Sequence, residues 1–199
     1  MECILYPFEK LGGAELIEKL TGRKAEVHVD PTMLLSADEW RKVSRVPSWY
    51  HGEDYILTYF LGNRPQEAID KIERETGLKV VNLLDYSCYE TYVTGIDEFI
   101  WAVEHAKLMY TDSFHGAVFS ILFHIPFVVC NRVGSEIREK MGSRLDTLLG
   151  NFDLVERRAS KESNYEIKNP LDLPKWSKAD EVLAKERKRS DLYFKKNLK

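Results

Sequence analysis

The chain has 199 residues, a formal net charge of −3 and 44% hydrophobic residues. This length is sufficient for one domain with a substantial core, and the composition excludes an intrinsically disordered chain. The nearly balanced charge argues against a partner such as nucleic acid, and no apolar run is long enough to form a transmembrane segment.

The apolar pattern predicts short strands that alternate with helices along the chain. Strands are predicted at 25–29, 55–61, 79–84, 108–111 and 127–131, and helices at 14–20, 37–42, 66–76, 96–106, 114–123, 143–149 and 178–199. Ser36 and Glu39 have the spacing of a capping box at the second helix. We expect the last helix either to pack on the domain or to need a missing partner. The alternation predicts an α/β, Rossmann-like parallel sheet with helices on both faces.

Open parallel sheets bind ligands at the carboxyl ends of their strands. This rule directs attention to the residues that follow the predicted strands. They are 30–32, 62–64, 111–116 and 131–132. For 62–64, one glycine and one arginine are more typical of a plain turn.

The segment from Tyr110 to Gly116, which reads YTDSFHG, is the strongest candidate for a binding site. A strand is predicted to end near Thr111, and an apolar helix to begin near Phe114. The start of a helix has N–H groups without helical partners and the positive end of the helix dipole, which suits an anion. Ser113 would add a hydroxyl donor to such a site.

His115 lies in the first turn of this predicted helix, where it can donate a hydrogen bond to phosphate or carboxylate, or move a proton. Gly116 would let a ligand approach the backbone closely. For an ordinary junction of a strand and a helix, the residues alone favour an alternative. Asp112 or Ser113 would then merely cap the helix, and His115 would pack on a neighbour.

Two arginines and an asparagine are predicted at the same edge of the sheet. Asn131 and Arg132 follow the last predicted strand, and Arg144 opens the next helix. Guanidinium groups pair well with phosphate and carboxylate. The alternative is that both arginines are ordinary surface charges.

Three tyrosines, Tyr86, Tyr89 and Tyr92, recur at intervals of three residues. Such rings can stack on a sugar, but an aromatic loop packed on the domain is the more common arrangement. We therefore expect these side chains to pack on the domain.

Neither a metal site nor a cofactor site is expected from the motifs. No histidine pair has the spacing of a zinc site, and neither a Walker A loop nor a dinucleotide fingerprint is present. Cys3, Cys88 and Cys130 lie far apart, and we expect them to be reduced thiols in a cytoplasmic protein.

Four segments share an order and spacing that is fairly specific. They are 29–35 (VDPTMLL), 110–116 (YTDSFHG), 127–132 (FVVCNR) and 141–145 (MGSRL). Together they resemble the C-terminal half of the polysaccharide pyruvyl transferases, over most of the chain from about Gly13 to Leu154. That family is similar in architecture to two-domain glycosyltransferases of the B type. The resemblance therefore implies one half of a GT-B fold.

The resemblance also implies an activity, which is transfer of pyruvate from phosphoenolpyruvate to a saccharide acceptor as a ketal in surface or exopolysaccharide biosynthesis. His115 matches the family histidine that contacts phosphoenolpyruvate and acts in proton transfer, which implies a catalytic role. Ser113 stands where some family members carry a basic residue, which leaves Arg132 or Arg144 to supply the charge. The substrate-binding residues implied are Ser113, Phe114, Gly116, Asn131, Arg132 and Arg144, and the turn at Asp30 is expected to be structural.

Three regions are expected. They are an atypical N-terminal segment at 1–12, a Rossmann-like pyruvyl transferase domain at 13–155, and a C-terminal extension with a helix at 156–199. Family members normally carry a further N-terminal domain, with the active site between the two. We therefore expect a separate N-terminal domain or a second copy of the chain to complete the site.

Two alternatives remain open because fold does not decide function. The chain could be a non-catalytic remnant or binding module that keeps the fold. It could also be a glycosyltransferase-like domain that binds a nucleotide sugar. For the first hypothesis, a lipid-linked acceptor would bring a cytoplasmic protein to a membrane.

Overall fold

The computed structural model describes residues 6–7, 10–133 and 142–197. The strands are β1 (Tyr6–Pro7), β2 (Val27–His28), β3 (Tyr55–Tyr59), β4 (Lys79–Asn82), β5 (Leu108–Thr111), β6 (Phe127–Cys130) and β7 (Arg158–Ala159). The helices are α1 (Lys10–Thr21), α2 (Ala37–Arg41), α3 (Gln66–Thr76), α4 (Tyr89–Tyr92), α5 (Ile96–Glu104), α6 (Phe114–Phe123), α7 (Gly142–Phe152) and α8 (Trp176–Asn197). Cys3 and Met141, which the sequence interpretation used, lie outside the described residues.

Five parallel strands form one sheet in the order β4-β3-β5-β6-β7. β1 and β2 form a separate parallel pair. Successive residues of β3, β5 and β6 alternate between two buried clusters, one on each face of the sheet. Helices α5, α6, α7 and α8 cover the larger cluster, and α3 covers the smaller one. The predicted α/β, Rossmann-like fold is confirmed.

Elements with strong end signals have the predicted bounds. α3 ends at Gly77, whose φ of 68° requires the left-handed conformation that glycine adopts freely. The capping box of α2 is also present, with the Ser36 side chain accepting from the Glu39 N–H and the Glu39 carboxylate accepting from the Ser36 N–H. The bounds of β5 and α6 agree as well, because each is a mostly apolar run.

The elements that the sequence interpretation missed are short. β1 and β7 contain two residues each, α4 contains four, and the turn of 3-10 helix at Pro31–Leu34 contains four. Such segments are too short to show a period of their own. β7 matters most for the site, because it adds a fifth strand on the far side of β6.

The C-terminal helix packs on the domain, which confirms the first of its two predicted arrangements. Ala179, Leu183 and Ser190 of α8 are buried, and α8 contacts α7, β2 and the turn at Pro31–Leu34. Within the described residues, no helix combines the length and apolarity needed to cross a membrane. Cys88 and Cys130 are free thiols, as expected.

Candidate functional site

The strand order creates a topological switch point between β3 and β5. From β3 the chain runs through α3 to β4, which pairs with one edge of β3, whereas β5 pairs with the other edge of β3. In an open α/β sheet a ligand crevice forms at this point, beyond the carboxyl ends of the two strands. The segments 60–63 and 112–115 follow these two strands.

Asp112 ties the two strand ends together. Its carboxylate is buried and accepts hydrogen bonds from the backbone N–H groups of Leu61 and Gly62, both at 2.8 Å. Arg132 Nε lies 3.5 Å from Asp112 Oδ2. The arginine that we predicted to bind an anion is therefore placed beside a carboxylate of the protein itself. A Cβ on Gly62 would lie 2.5 Å from the Val133 carbonyl oxygen and 2.6 Å from Arg132 Cγ. Gly62 therefore permits a close approach between its own loop and the loop at 132–133. This is a further role for the residue, in addition to the plain turn that we predicted.

Ser113 is the N-cap of α6. Its Oγ accepts from the Gly116 N–H at 3.3 Å, and its own N–H donates to Thr111 Oγ1 at 2.9 Å. The Thr111 hydroxyl donates in turn to the Tyr59 carbonyl at 2.5 Å. This chain of hydrogen bonds joins the start of α6 to β5 and β3. The cap does not use the Ser113 hydroxyl proton, so donation from it to an anion stays a prediction.

The structure requires glycine at position 116 for a different reason from the one that we expected. A Cβ at this position would lie 2.9 Å from Met109 Cε and 2.9 Å from both Thr111 Cγ2 and Thr111 Oγ1. The missing side chain therefore lets α6 pack closely against β5. The expected approach of a ligand to the Gly116 backbone is wrong for this face, because β5 occupies it.

Phe114 is buried, so its ring belongs to the core and its side chain does not form an open contact surface for a ligand. The guanidinium carbon of Arg144 lies 4.3 Å from the centre of this ring, within the range of a cation–π contact. The His115 ring is 5.6 Å from the same ring, in an edge orientation. Phe114 thus packs against both Arg144 and His115, and its direct contact with a substrate stays a prediction.

His115 faces a carboxylate that the sequence interpretation treated as structural. Its side chain is 51% exposed, and Nε2 lies 3.6 Å from Oδ2 of Asp30, which is buried. The other carboxylate oxygen of Asp30 accepts hydrogen bonds from the Thr32 N–H at 3.0 Å and from its hydroxyl at 2.6 Å. Burial acts to raise the pKa of Asp30, but the interaction with His115 and the hydrogen bonds from Thr32 outweigh it and hold this pKa below its usual value. Asp30 is therefore ionised at neutral pH and orients the imidazole.

The C-terminal helix holds the turn that carries Asp30. Arg187 donates from Nε to the Met33 carbonyl at 2.7 Å and from Nη2 to the Leu35 carbonyl. Two residues before Asp30, His28 Nδ1 lies 3.0 Å from Ser190 Oγ in a buried contact. α8 thus holds the chain on both sides of Asp30, and the Asp30 carboxylate faces His115.

Asn131 links strands rather than standing alone at the edge. Its Oδ1 accepts a hydrogen bond from Arg158 Nη2, and that nitrogen lies 3.4 Å from Asp146 Oδ1. A Cβ on Gly142 would lie 2.6 Å from Asn131 Oδ1, so α7 begins close against this residue. The contacts join β6 to β7 and α7, and direct contact of Asn131 or Arg132 with a substrate stays a prediction.

A cleft of about 300 Å³ opens at the switch point. Its lining combines apolar and aromatic side chains with a few polar groups, which is the usual composition of a small-molecule site. Ser113 and His115 are among the polar groups, and the other lining residues are Tyr59, Leu61, Leu83, Leu84, Tyr92, Thr94, Gly95, Ile96 and Phe99. The tyrosine and leucine contributions come from segments far apart in the chain, so spacing could not reveal them.

The fold and the site together define a Rossmann-like α/β domain with a histidine–carboxylate pair and a helix start at the carboxyl edge of its sheet. The family model for polysaccharide pyruvyl transferase matches residues 11–132, and the chain belongs to this family. No curated protein and no solved structure matches the sequence significantly. The match covers Asp30 and His115, whereas α7, β7 and α8 lie outside it.

Proposed function

We propose that this polysaccharide pyruvyl transferase domain takes pyruvate from phosphoenolpyruvate and places it on a saccharide as a cyclic ketal, in the biosynthesis of a surface polysaccharide. The family membership supports a transferase of this class with a saccharide acceptor. The observation that carries the proposal is the half-exposed His115, which lines the cleft from the first turn of α6 and is held by the Asp30 carboxylate.

The reaction needs one proton donor and one anion site. Protonation of the CH₂ carbon of the enol leaves a cationic carbon that carries the carboxylate and the phosphate group. A saccharide hydroxyl attacks this carbon and loses its proton, and the bond from the carbon to the phosphate oxygen breaks. A second hydroxyl attacks the same carbon and closes the ketal ring. One hydroxyl proton replaces the proton consumed, and the other leaves with the phosphate.

His115 is placed to carry the proton in this scheme. The ionised Asp30 carboxylate lies 3.6 Å from Nε2 and holds the orientation of the imidazole ring. The first-turn N–H groups of α6 offer positive partial charge to the phosphate or carboxylate of the donor. The Arg144 guanidinium lies against the Phe114 ring, which also contacts the His115 ring, and we assign its positive charge to the anionic donor. That a separate domain or a second copy of the chain faces this site stays a prediction.

The test is a calorimetric titration of the full chain with phosphoenolpyruvate. We expect His115→Ala to weaken binding by about tenfold or more, since a hydrogen bond to a charged group contributes about 1.5–3 kcal/mol. His51→Ala is the matched control, because His51 is exposed and lies outside the cleft. Its affinity should equal that of the unmodified chain.

Two other results would each support a different reading. Binding of a nucleotide sugar such as UDP-glucose in preference to phosphoenolpyruvate would favour a glycosyltransferase-like domain. Absence of binding for both ligands would favour a non-catalytic domain. An equal affinity of His115→Ala and the unmodified chain for phosphoenolpyruvate would refute the assigned role of His115.

A further inference from the structure

The exposed aromatic side chains of the described residues lie in one short segment. Tyr86, Tyr89 and Tyr92 are 85%, 77% and 46% exposed, whereas every other tyrosine, phenylalanine and tryptophan among the described residues from Ala14 onward is at least partly buried. This corrects our expectation that the three tyrosines pack on the domain. A cluster of exposed rings costs solvation free energy, and such clusters mark binding surfaces more often than isolated exposed residues do.

Two of these rings form a pair at the cleft. The centroids of Tyr86 and Tyr92 are 4.9 Å apart with an angle of 39° between the ring planes. Tyr92 also lines the cleft that contains His115 and Ser113. The Tyr86–Tyr92 pair therefore extends the wall of this cleft outward, and we name it the tyrosine platform.

The platform is held in place by local hydrogen bonds. Asp85 Oδ1 accepts from the Ser87 N–H at 2.9 Å and from its hydroxyl at 2.6 Å, and the Cys88 N–H donates to the Asp85 carbonyl at 3.1 Å. The Tyr92 N–H then donates to the Cys88 carbonyl at 3.0 Å. A surface ordered before binding loses less entropy when a ligand arrives.

Charge and ring chemistry indicate the class of ligand. The charged residues of the segment 84–92 are Asp85 and Glu90, both acidic, which disfavours a nucleotide or another anion at this end of the cleft. A neutral pyranose suits the position, because its C–H face stacks on an aromatic ring while its hydroxyls reach polar groups. The same cleft is also lined by Ser113 and His115, which have the polar groups that such hydroxyls would meet.

We propose that the Tyr86–Tyr92 platform is the acceptor subsite, where a neutral pyranose stacks with two hydroxyls directed along the cleft toward His115. The role as acceptor subsite rests on the proposed function, whereas the binding of a pyranose at the platform stands on the geometry alone. The same cleft then holds both reactants, with the anionic donor at the start of α6 and the sugar at the tyrosines.

The experiment is a ligand-observed NMR titration of the full chain with methyl β-D-galactopyranoside and methyl β-D-glucopyranoside. Tyr86→Ala should weaken binding of at least one glycoside by about threefold to tenfold, the range expected for one aromatic stacking contact. Tyr86→Phe keeps the ring and should bind within about twofold of the unmodified chain. Because Tyr86 is 85% exposed, neither variant is expected to disturb folding, and thermal unfolding of both checks this.

The outcomes separate the platform from the proposed function. An absence of glycoside binding, or equal binding by Tyr86→Ala, overturns the platform even when phosphoenolpyruvate binds. A chain that is dimeric in sedimentation, and that Tyr86→Ala converts to a monomer with unchanged glycoside binding, also overturns it, since a second copy then covers the rings. Glycoside binding that depends on the Tyr86 ring, together with no response to phosphoenolpyruvate, supports the sugar site and removes the transfer reaction.

Discussion

Gly116 gives the sharpest test of how the site is positioned. In Gly116→Ala the new Cβ would lie 2.9 Å from Met109 Cε and from two atoms of Thr111. The methionine end can move, but Thr111 is held by its hydrogen bonds to Tyr59 and Ser113. The strain must therefore shift α6 away from β5, at a cost of about 1–3 kcal/mol for an overpacked contact. Because His115 precedes Gly116, the shift also moves the imidazole from Asp30.

The matched control is Gly150→Ala in α7. A Cβ there meets nothing within 4 Å, so this variant reports only the helix preference of alanine over glycine, about 1 kcal/mol or less of added stability. The difference in unfolding free energy between the two variants is then the packing cost at Gly116. For a chain of this size, 1–3 kcal/mol corresponds to a Tm difference of about 2–12 °C, which calorimetry resolves. Equal Tm values for the two variants would refute the close packing of α6 on β5.

Three further predictions concern the support of Asp30. Arg187→Ala should lower the free energy of unfolding by about 2 kcal/mol in a urea titration, because the Met33 and Leu35 carbonyls lose a charged donor. The control is Lys188→Ala at an exposed position, which should change this free energy by less than about 0.5 kcal/mol. Equal losses in the two variants would contradict the proposed support of the turn by Arg187. Burial lowers the pKa of His28, so below about pH 6.5 the unfolded chain binds a proton that the folded chain does not. The Tm should therefore fall as the pH drops below that value. His28→Gln should remove this pH dependence of the Tm, and the control His51→Gln, at an exposed position, should keep it. Hydrogen bonds outweigh burial and lower the pKa of Asp30, so the ionised carboxylate stabilises the fold fully above about pH 4. This stabilisation is lost as the pH falls through the folded-state pKa. Asp30→Asn should therefore reduce the fall of Tm at acid pH in circular dichroism melts, and an unchanged fall would count against the interactions assigned to the Asp30 carboxylate.

Elements of the fold could be predicted where a local signal was complete. α3 has an amphipathic face and a left-handed glycine at its end, and both signals lie within twelve residues. β7 could not be predicted, because two residues show no period of their own and their partners in β6 lie far earlier in the chain. The strand order then follows from tertiary packing, which no local pattern contains.

The candidate site divides in the same way. The position of His115 at the carboxyl edge of the sheet could be predicted, because it follows a strand end and opens a helix, and its role there stays a prediction. Its partner Asp30 lies 85 positions earlier in the chain (115 minus 30), so only the structure joins them. Gly116 is the instructive error. A glycine at a helix start fits close approach by a ligand or by a strand, and only the position of Thr111 decides between them.

The support for His115 extends beyond the part of the chain that defines the family. The family match ends at Arg132, but the turn after Asp30 is held by Arg187, and β2 before Asp30 is held by Ser190. α8 therefore acts on the imidazole indirectly, because Arg187 and Ser190 hold the chain on either side of Asp30 and the Asp30 carboxylate faces His115 Nε2. A displacement of α8 would change the direction of the proposed proton donor without touching the cleft. The proposed role of His115 thus depends on the packing of the whole domain, and the strand–helix motif that contains it supplies only its position.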